Sequence, residues 1–547
     1  MIHYHITCPN PESQFIHIQL ELENQELDPL KLQLPSWRAG RYQLANYAQN
    51  IRGFKVFDTA GNLIPFQKKS KDLWQIIGSG KLLVNYEYWA GKMDAGSAWV
   101  DDEQVYFNLV NCCFEVLGQS SEEILVTLEL PEFPDQISTL IPVSKSSWKA
   151  ADFQMLADST ILASKKLIHW NYRAGDSDFH IWIQGEVHFE KGKFISAFEA
   201  FSKKLIQDFG EFPEPEYHFI FQLLPYPHYH GVEHRRGTVI TFGPAEKLAE
   251  PEEMEELLGV SCHELYHAWN VCRIRPKELL PYDFSKETYT EAGLILEGVT
   301  TYLGDMYLLK SGVYKLETYL KHLAKVIQRE ADNFGWKNYS ILESSFDLWL
   351  DGYVPGIPDR KVNIYTRGAI LAMGLDAILI NSRSSLRVVM RRMWERFGKP
   401  NLGYTFSDFQ EIIAEEAGSR KLIEDFFERF VSGHKDYFGE FKRLLNSLGI
   451  QWNEDFDQNP LLHEFGVRIN ELKQITQIHP ESDAYKKLMK GDVILEENIE
   501  EEKKAALKIN RMGRVISVNL DSSKGLFFPK ISLSCPQILE STKNWMS

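Results

Sequence analysis

Cysteine is scarce in this chain: six residues in 547 (Cys8, Cys112, Cys113, Cys262, Cys272 and Cys535), with no C-x-x-C pair. That argues against a disulfide framework. Basic charge is also in deficit, with 60 Lys and Arg against 76 Asp and Glu and a net charge of −16. Nucleic acid and anionic membrane surfaces select basic patches, so neither is expected as a partner. No apolar run reaches the ~18 residues of a membrane span; the nearest, AILAMGLDAILI, is shorter and carries Asp376. The N-terminus, MIHYHITCPN, enters a strand-like alternation without the basic segment and apolar core of a signal peptide, so a cytoplasmic location is expected.

What is there is an ordinary globular composition, 44% hydrophobic and 25% charged, on a chain too long for one core. Residues 1–190 are β-rich. FIHIQLELE, KLLVNYEYWA, EILVTLEL and FHIWIQGEV alternate or run apolar between turn signals such as Asn10-Pro11 and Ala60-Gly61-Asn62, a density that suggests a sandwich. Residues 191–455 are mainly helical, with helices expected from about Pro251 and over 291–311, 314–334, 366–380 and 405–417. Residues 456–547 return to short strands: FGVRINE, KQITQI, DVILEE and RVISVNL. The charged run EENIEEEKK (496–504) lies among them and is expected to be a solvated loop.

HELYH at 263–267 is the strongest chemical signal. Histidines at i and i+4 stand one above the other on a helix and can reach one tetrahedral ion. Glu264 between them is placed to take a proton from water at that ion. Met254, Leu257, Leu258, Leu265, Ala268 and Trp269 form one stripe, which puts His263 and His267 on the opposite side. A catalytic zinc needs a third protein ligand and an open fourth position. Glu297, in LILEGVTTYLGD, shares a helical face with the small residues Gly293, Thr301 and Gly304, so its helix could approach the histidines; Glu287, Glu291 and Asp305 are competitors.

The stretch HELYHAWNVCRIRP (263–276) resembles the HEFFHLWNVKRIRP of the glycyl aminopeptidase-like zinc metallopeptidases, gluzincins that end in a PDZ domain. LEGVTTYLGD (296–305) resembles that family's SEGFTSYYGD, and PSWRAGRY (35–42) resembles its PAWTPGSY. DDEQVYFN (101–108), ADST (157–160) and IYTRGAILAMGLD (364–376) are similar to further family segments, in order over most of the chain. The resemblance implies a multidomain α+β protein: an N-terminal β-sandwich-like domain, a mainly helical thermolysin-like catalytic domain and a C-terminal PDZ-like β domain. It implies one Zn2+ per chain on His263, His267 and Glu297. The substrates it implies are peptides with a free N-terminus, cleaved after small residues such as Gly or Ala. HGVEH (230–234) is similar to the family's GGLEH, which makes Glu233, with Gly231, the candidate site for the substrate ammonium; His230 stands where glycine is usual. Tyr365 falls where related enzymes place an oxyanion donor, although Ile364 replaces a second tyrosine.

Other readings stay open. His228, His230 and His234 lack matched ligand spacing and are expected in a polar loop rather than a second metal site. Arg273 and Arg275 are expected to brace the histidine helix through ion pairs. FGVRI (465–469) and KGDVIL (490–495) look like a PDZ carboxylate loop and turn, so a peptide C-terminus is a possible second partner. A zinc endopeptidase and an inactive PDZ-type peptide-binding protein are the alternatives.

Overall fold

The computed structural model describes residues 2–25, 29–354, 356–456, 458–500, 504–522 and 525–547. The chain is multidomain α+β, with a β-rich N-terminal region, a mainly helical middle region and a β-rich C-terminal region.

Alternation builds the N-terminal region. Phe15–Asn24 pairs antiparallel with Gly80–Trp89, and the buried pairs Ile16–Tyr88, Ile18–Tyr86 and Leu20–Val84 share one face. Ile2–Thr7 lies inside the same seven-stranded sheet, between Phe15–Asn24 and the parallel strand Ile124–Glu129. A four-stranded and a five-stranded sheet complete this region.

Sheet pairing crosses residue 190, where a division was expected. Ile168–Ala174 and Ser177–Gln184 form a hairpin, and the second strand runs parallel to Glu216–Leu223. Local alternation reveals a strand but not its partner, which is why this hairpin read as part of the first region. Glu216–Leu223 is followed across the sheet by parallel Gly237–Gly243 and then by the antiparallel edge strand His228–His234. One face of this sheet is covered by helix Lys191–Phe209 through Phe194, Phe198, Phe201 and Leu205. The other packs Ile220, Val232 and Val239 against Ala95, Tyr106, Ile137 and Leu162 of the N-terminal region.

The main helices are Pro251–Tyr266, Val299–Lys310, Leu316–Ala331, Thr366–Asn381 and Phe406–Ala417. Thr366–Asn381 is buried on every side from Thr366 to Ile380, which explains the apolar run that the sequence carries there. Among the described residues no single helix is long and apolar enough to cross a membrane.

In the C-terminal region Val467–Ile469 pairs with Ile475–Ile478, and Val493–Glu500, Lys504–Arg511 and Arg514–Asp521 form a meander. The charged run is therefore not simply a loop. Glu496–Glu500 belongs to a strand facing Lys504–Lys508, while 501–503 lie outside the described residues. Nor do the last residues stay with this region: Lys530–Ser534 pairs with Gln451–Asp455, and helix Glu540–Met546 buries Trp545 in the helical core. Trp545 Nε1 donates to Tyr302 Oη at 2.7 Å.

Candidate active site

Pro251 opens the histidine helix, with Glu252 and Glu253 at its positive end. Leu257, Leu265, Ala268 and Trp269 bury its inner stripe, and Trp269 stacks on Phe209 at 4.6 Å. The helix ends at Tyr266, so His267 is its C-cap. His267 Nδ1 faces the Asn270 carbonyl at 2.6 Å, a contact that spends the Nδ1 proton and turns Nε2 towards the cleft. The Asn270 amide donates to Ile295 O (2.7 Å) and Thr300 Oγ1 (3.0 Å), tying the end of this helix to the segment that carries Glu297.

Glu297 lies on a π-helical turn, Leu294–Gly298, that runs into Val299–Lys310. The wider turn shifts its side chain relative to a regular helix. Two close approaches seat it. A Cβ on Gly304 would lie 3.0 Å from His263 Cα, and one on Gly368 would lie 2.5 Å from Gly298 Cα. Backbones at such distances leave no room for a side chain between them.

The three groups meet. His263 Nε2 and His267 Nε2 are 3.0 Å apart, and each is 3.5 Å from Glu297 Oε2. Ligands about 2.0–2.1 Å from a tetrahedral ion stand roughly 3.3 Å from one another, so the donor set and its spacing fit zinc. Glu297 Oε2 is buried with no hydrogen-bond partner among the described residues. Burial pushes the Glu297 carboxyl up, but His267 and His263 outweigh it and hold the group at about 2. Glu287, Glu291 and Asp305 take no part, and no other such cluster exists among the described residues.

Glu264 is 5% exposed, and burial pushes its carboxyl up to about 8, with Glu233 and Glu297 adding to the rise and His267 opposing it. Gly231 lies directly against it: a Cβ there would collide with Glu264 Oε1. Glu233, 7% exposed, lines the same cleft of about 690 Å3, and its Oε1 has no hydrogen-bond partner among the described residues. Gly40 abuts the Glu233 carboxylate and has φ +72°, two reasons for glycine there.

The stretch expected as a loop, 228–234, is thus the edge strand of the sheet, held by side chains from remote segments. His230 Nδ1 is 2.7 Å from Asp94 Oδ1, and His234 Nδ1 is 3.5 Å from Asp158 Oδ1. Asp158 also accepts from Arg235 N at 2.8 Å. Tyr106 and Asn108 fix the Asp94 turn by donating to Ala95 O. Trp37, fully buried, packs on Tyr282, Phe284 and Trp349 and anchors the loop that carries Gly40.

Tyr365 also lines the cleft, its ring centroid 6.5 Å from that of His263. Ile364 beside it is buried, but Tyr353 supplies a second hydroxyl, hydrogen-bonded to Tyr365 and to Gly40 O (3.3 Å). Sequence reading missed Tyr353, which sits just beyond a four-residue helix with no periodicity to mark it. Arg273 pairs with Glu214 as expected. Arg275 forms no ion pair among the described residues; it lies over the Tyr282 ring at 4.2 Å and donates to Val271 and Cys272 carbonyls.

Two imidazoles and a carboxylate around one ion-sized gap, beside a buried carboxylate on the next helical residue, define a metallopeptidase. Two family models match: the Peptidase M61 N-terminal domain over residues 3–165 and M61 glycyl aminopeptidase over residues 256–371. The chain belongs to the M61 glycyl aminopeptidase family. An aminopeptidase N family protein from Idiomarina loihiensis, 23% identical, matches over 100% of both chains with a TM-score of 0.90, so one fold spans the whole length. An M1 zinc metallopeptidase from Deinococcus radiodurans, 12% identical, aligns over 80% of this chain and 94% of its own with a TM-score of 0.48. No curated protein matches the chain.

Proposed function

We propose that this chain is a zinc-dependent aminopeptidase that removes N-terminal residues, small ones such as glycine and alanine among them, from peptides with a free amino group. One observation carries the reading: Glu233 is buried in the same cleft as the triad, and its Oε1 has no hydrogen-bond partner among the described residues. A buried unpaired charge is costly, and a substrate ammonium would relieve it.

His263, His267 and Glu297 would hold one zinc per chain. When bound, zinc supplies Lewis acidity that lowers a water's pKa and polarises the scissile carbonyl. Glu264 takes the proton from the attacking water and passes it to the leaving amine. The Tyr365 hydroxyl, steadied by Tyr353, donates to the developing oxyanion. Gly231 leaves the space in which Glu264 moves that proton, and the free side of strand His228–His234 offers backbone groups to an extended peptide. The three regions, divided near residues 165 and 455, are read here as sandwich-like, thermolysin-like and PDZ-like units, with a peptide C-terminus as candidate ligand of the last.

The test compares an alanyl peptide with its N-acetylated form, using zinc-loaded protein. Cleavage of the free peptide alone is expected. Equal cleavage of both would make the enzyme an endopeptidase and leave Glu233 without its role. One zinc per chain with no turnover on a panel of amino-acid amides would favour the inactive, peptide-binding alternative.

A further inference from the structure

The loop that brings Gly40 to Glu233 also brings two arginines. Arg38 and Arg41 both line the cleft, and they occupy positions where the PAWTPGSY motif has threonine and serine. Neither forms an ion pair among the described residues. Arginines elsewhere around this site do: Arg235 and Arg273 with Glu214, Arg236 with Glu216, and Arg360 with Asp351.

The two arginines differ in what they have left to offer. Arg38, 6% exposed, packs against Gly96, gives Nη1 to Ala39 O at 2.9 Å and sets Nη2 3.5 Å from His230 Nε2. Its charge is embedded in the wall beside Glu264. Arg41 is half-buried, with its guanidinium over the Tyr353 ring at 5.0 Å and only Nε engaged, to Gln43 Oε1 at 3.1 Å. Both of its terminal nitrogens have no hydrogen-bond partner among the described residues. A guanidinium stacked on an aromatic ring is pre-oriented, and its outward fork matches a carboxylate. The need for such a group is clear: Glu233, Glu264 and Glu297 line the same cleft in a chain of net charge −16, and would repel a second carboxylate on a substrate.

We propose that Arg41 is a specificity-determining residue that selects substrates bearing a carboxylate close to the bound N-terminal residue. This rests on the aminopeptidase reading above. The carboxylate is either the side chain of an N-terminal aspartate or glutamate, or the free C-terminus of a dipeptide.

Two substrate pairs distinguish these sources: glutamyl against glutaminyl 4-nitroanilide, and Ala-Ala against Ala-Ala amide. Each is measured with zinc-loaded full-length wild type, Arg41→Gln and Arg41→Lys. In wild type the carboxylate-bearing member of one pair is favoured in kcat/KM by about tenfold or more, the size of a charge-assisted hydrogen bond. That ratio falls towards one in Arg41→Gln and partly recovers in Arg41→Lys. Ratios in both pairs that Arg41→Gln leaves unchanged would overturn the proposal. If wild type hydrolyses none of the four, the aminopeptidase reading fails, and calorimetric titration of the same pairs still decides the role of Arg41: no Arg41-dependent difference in affinity sinks it.

Discussion

The metal wall of the cleft comes from one helix and its immediate neighbours, whereas the opposite wall gathers segments around Gly40, Asp94, Asp158 and Glu233. Backbone contact sets the first, through Gly304 on His263 and Gly298 on Gly368. Side-chain pairs hold the second, through His230–Asp94 and His234–Asp158. A wall built on backbone proximity has no slack and suits chemistry that needs fixed ligand distances. A wall built on exchangeable side-chain pairs can be retuned residue by residue, which suits selectivity.

That contrast can be broken at measurable points. The largest effect is expected for Glu264→Gln on the metal wall, a loss of about 10²–10⁴-fold in kcat with zinc content retained. Full-rate hydrolysis of alanyl amide by the zinc-loaded variant would end the mechanism. Gly231→Ala comes next, because its methyl must displace the Glu264 carboxylate. About 10²-fold lower kcat/KM with normal zinc binding is expected, the cost of misplacing a reacting group by about an ångström. Gly298→Ala should instead damage the scaffold, since the new atom meets Gly368 backbone rather than a movable side chain. Overpacking of this kind costs about 1–3 kcal/mol, read as a lower melting temperature together with weaker zinc retention.

A smaller effect tests burial behind the metal wall. Glu330 is fully buried beside Thr366 and Arg367, and burial pushes its carboxyl from 4.5 up to about 7 against the pull of Arg367. Its folded value lies above its unfolded one, so the stability it contributes is complete below about pH 4.5 and lost as pH rises through about 7. Glu330→Gln lacks that slope. Its stability relative to wild type should therefore rise between pH 5 and pH 8, by something on the order of 2 kcal/mol, in paired thermal melts. A pH-independent gap would mean that Arg367 keeps Glu330 ionised throughout. The smallest effect belongs to the assembled wall: Asp94→Asn frees His230 and should raise KM only a few-fold with kcat unchanged, in line with the modest worth of one partly exposed pair.

The same division governs what the sequence revealed. His263, Glu264 and His267 were legible because one helical period relates them. Glu297 was a candidate from the small residues on its helical face, and the likeness of LEGVTTYLGD set it above Glu287, Glu291 and Asp305; no spacing rule anticipates its π turn. Glu233 emerged from a motif, but the reason for Gly40 did not, because the two lie on different elements. Tyr353 left no local signal, and Arg41 only a departure from the motif's serine; the ring-over-guanidinium contact between them exists only in the fold. Strand Lys504–Arg511 was missed because a charged run hides its alternation, and the pairing of hairpin 168–184 with Glu216–Leu223 was not legible because periodicity names an element and not its neighbour.

The Trp37 anchor carries a practical consequence. Because that indole locks the first region's loop onto residues 282–284 and Trp349, Gly40 and Arg41 reach the cleft on a stretch separate from the one that carries Glu233, Glu264 and Glu297, and the two meet at an aromatic joint. Chimeras between family members, spliced near residue 165 with the joint preserved, should pair one parent's reaction with the other parent's taste in peptides.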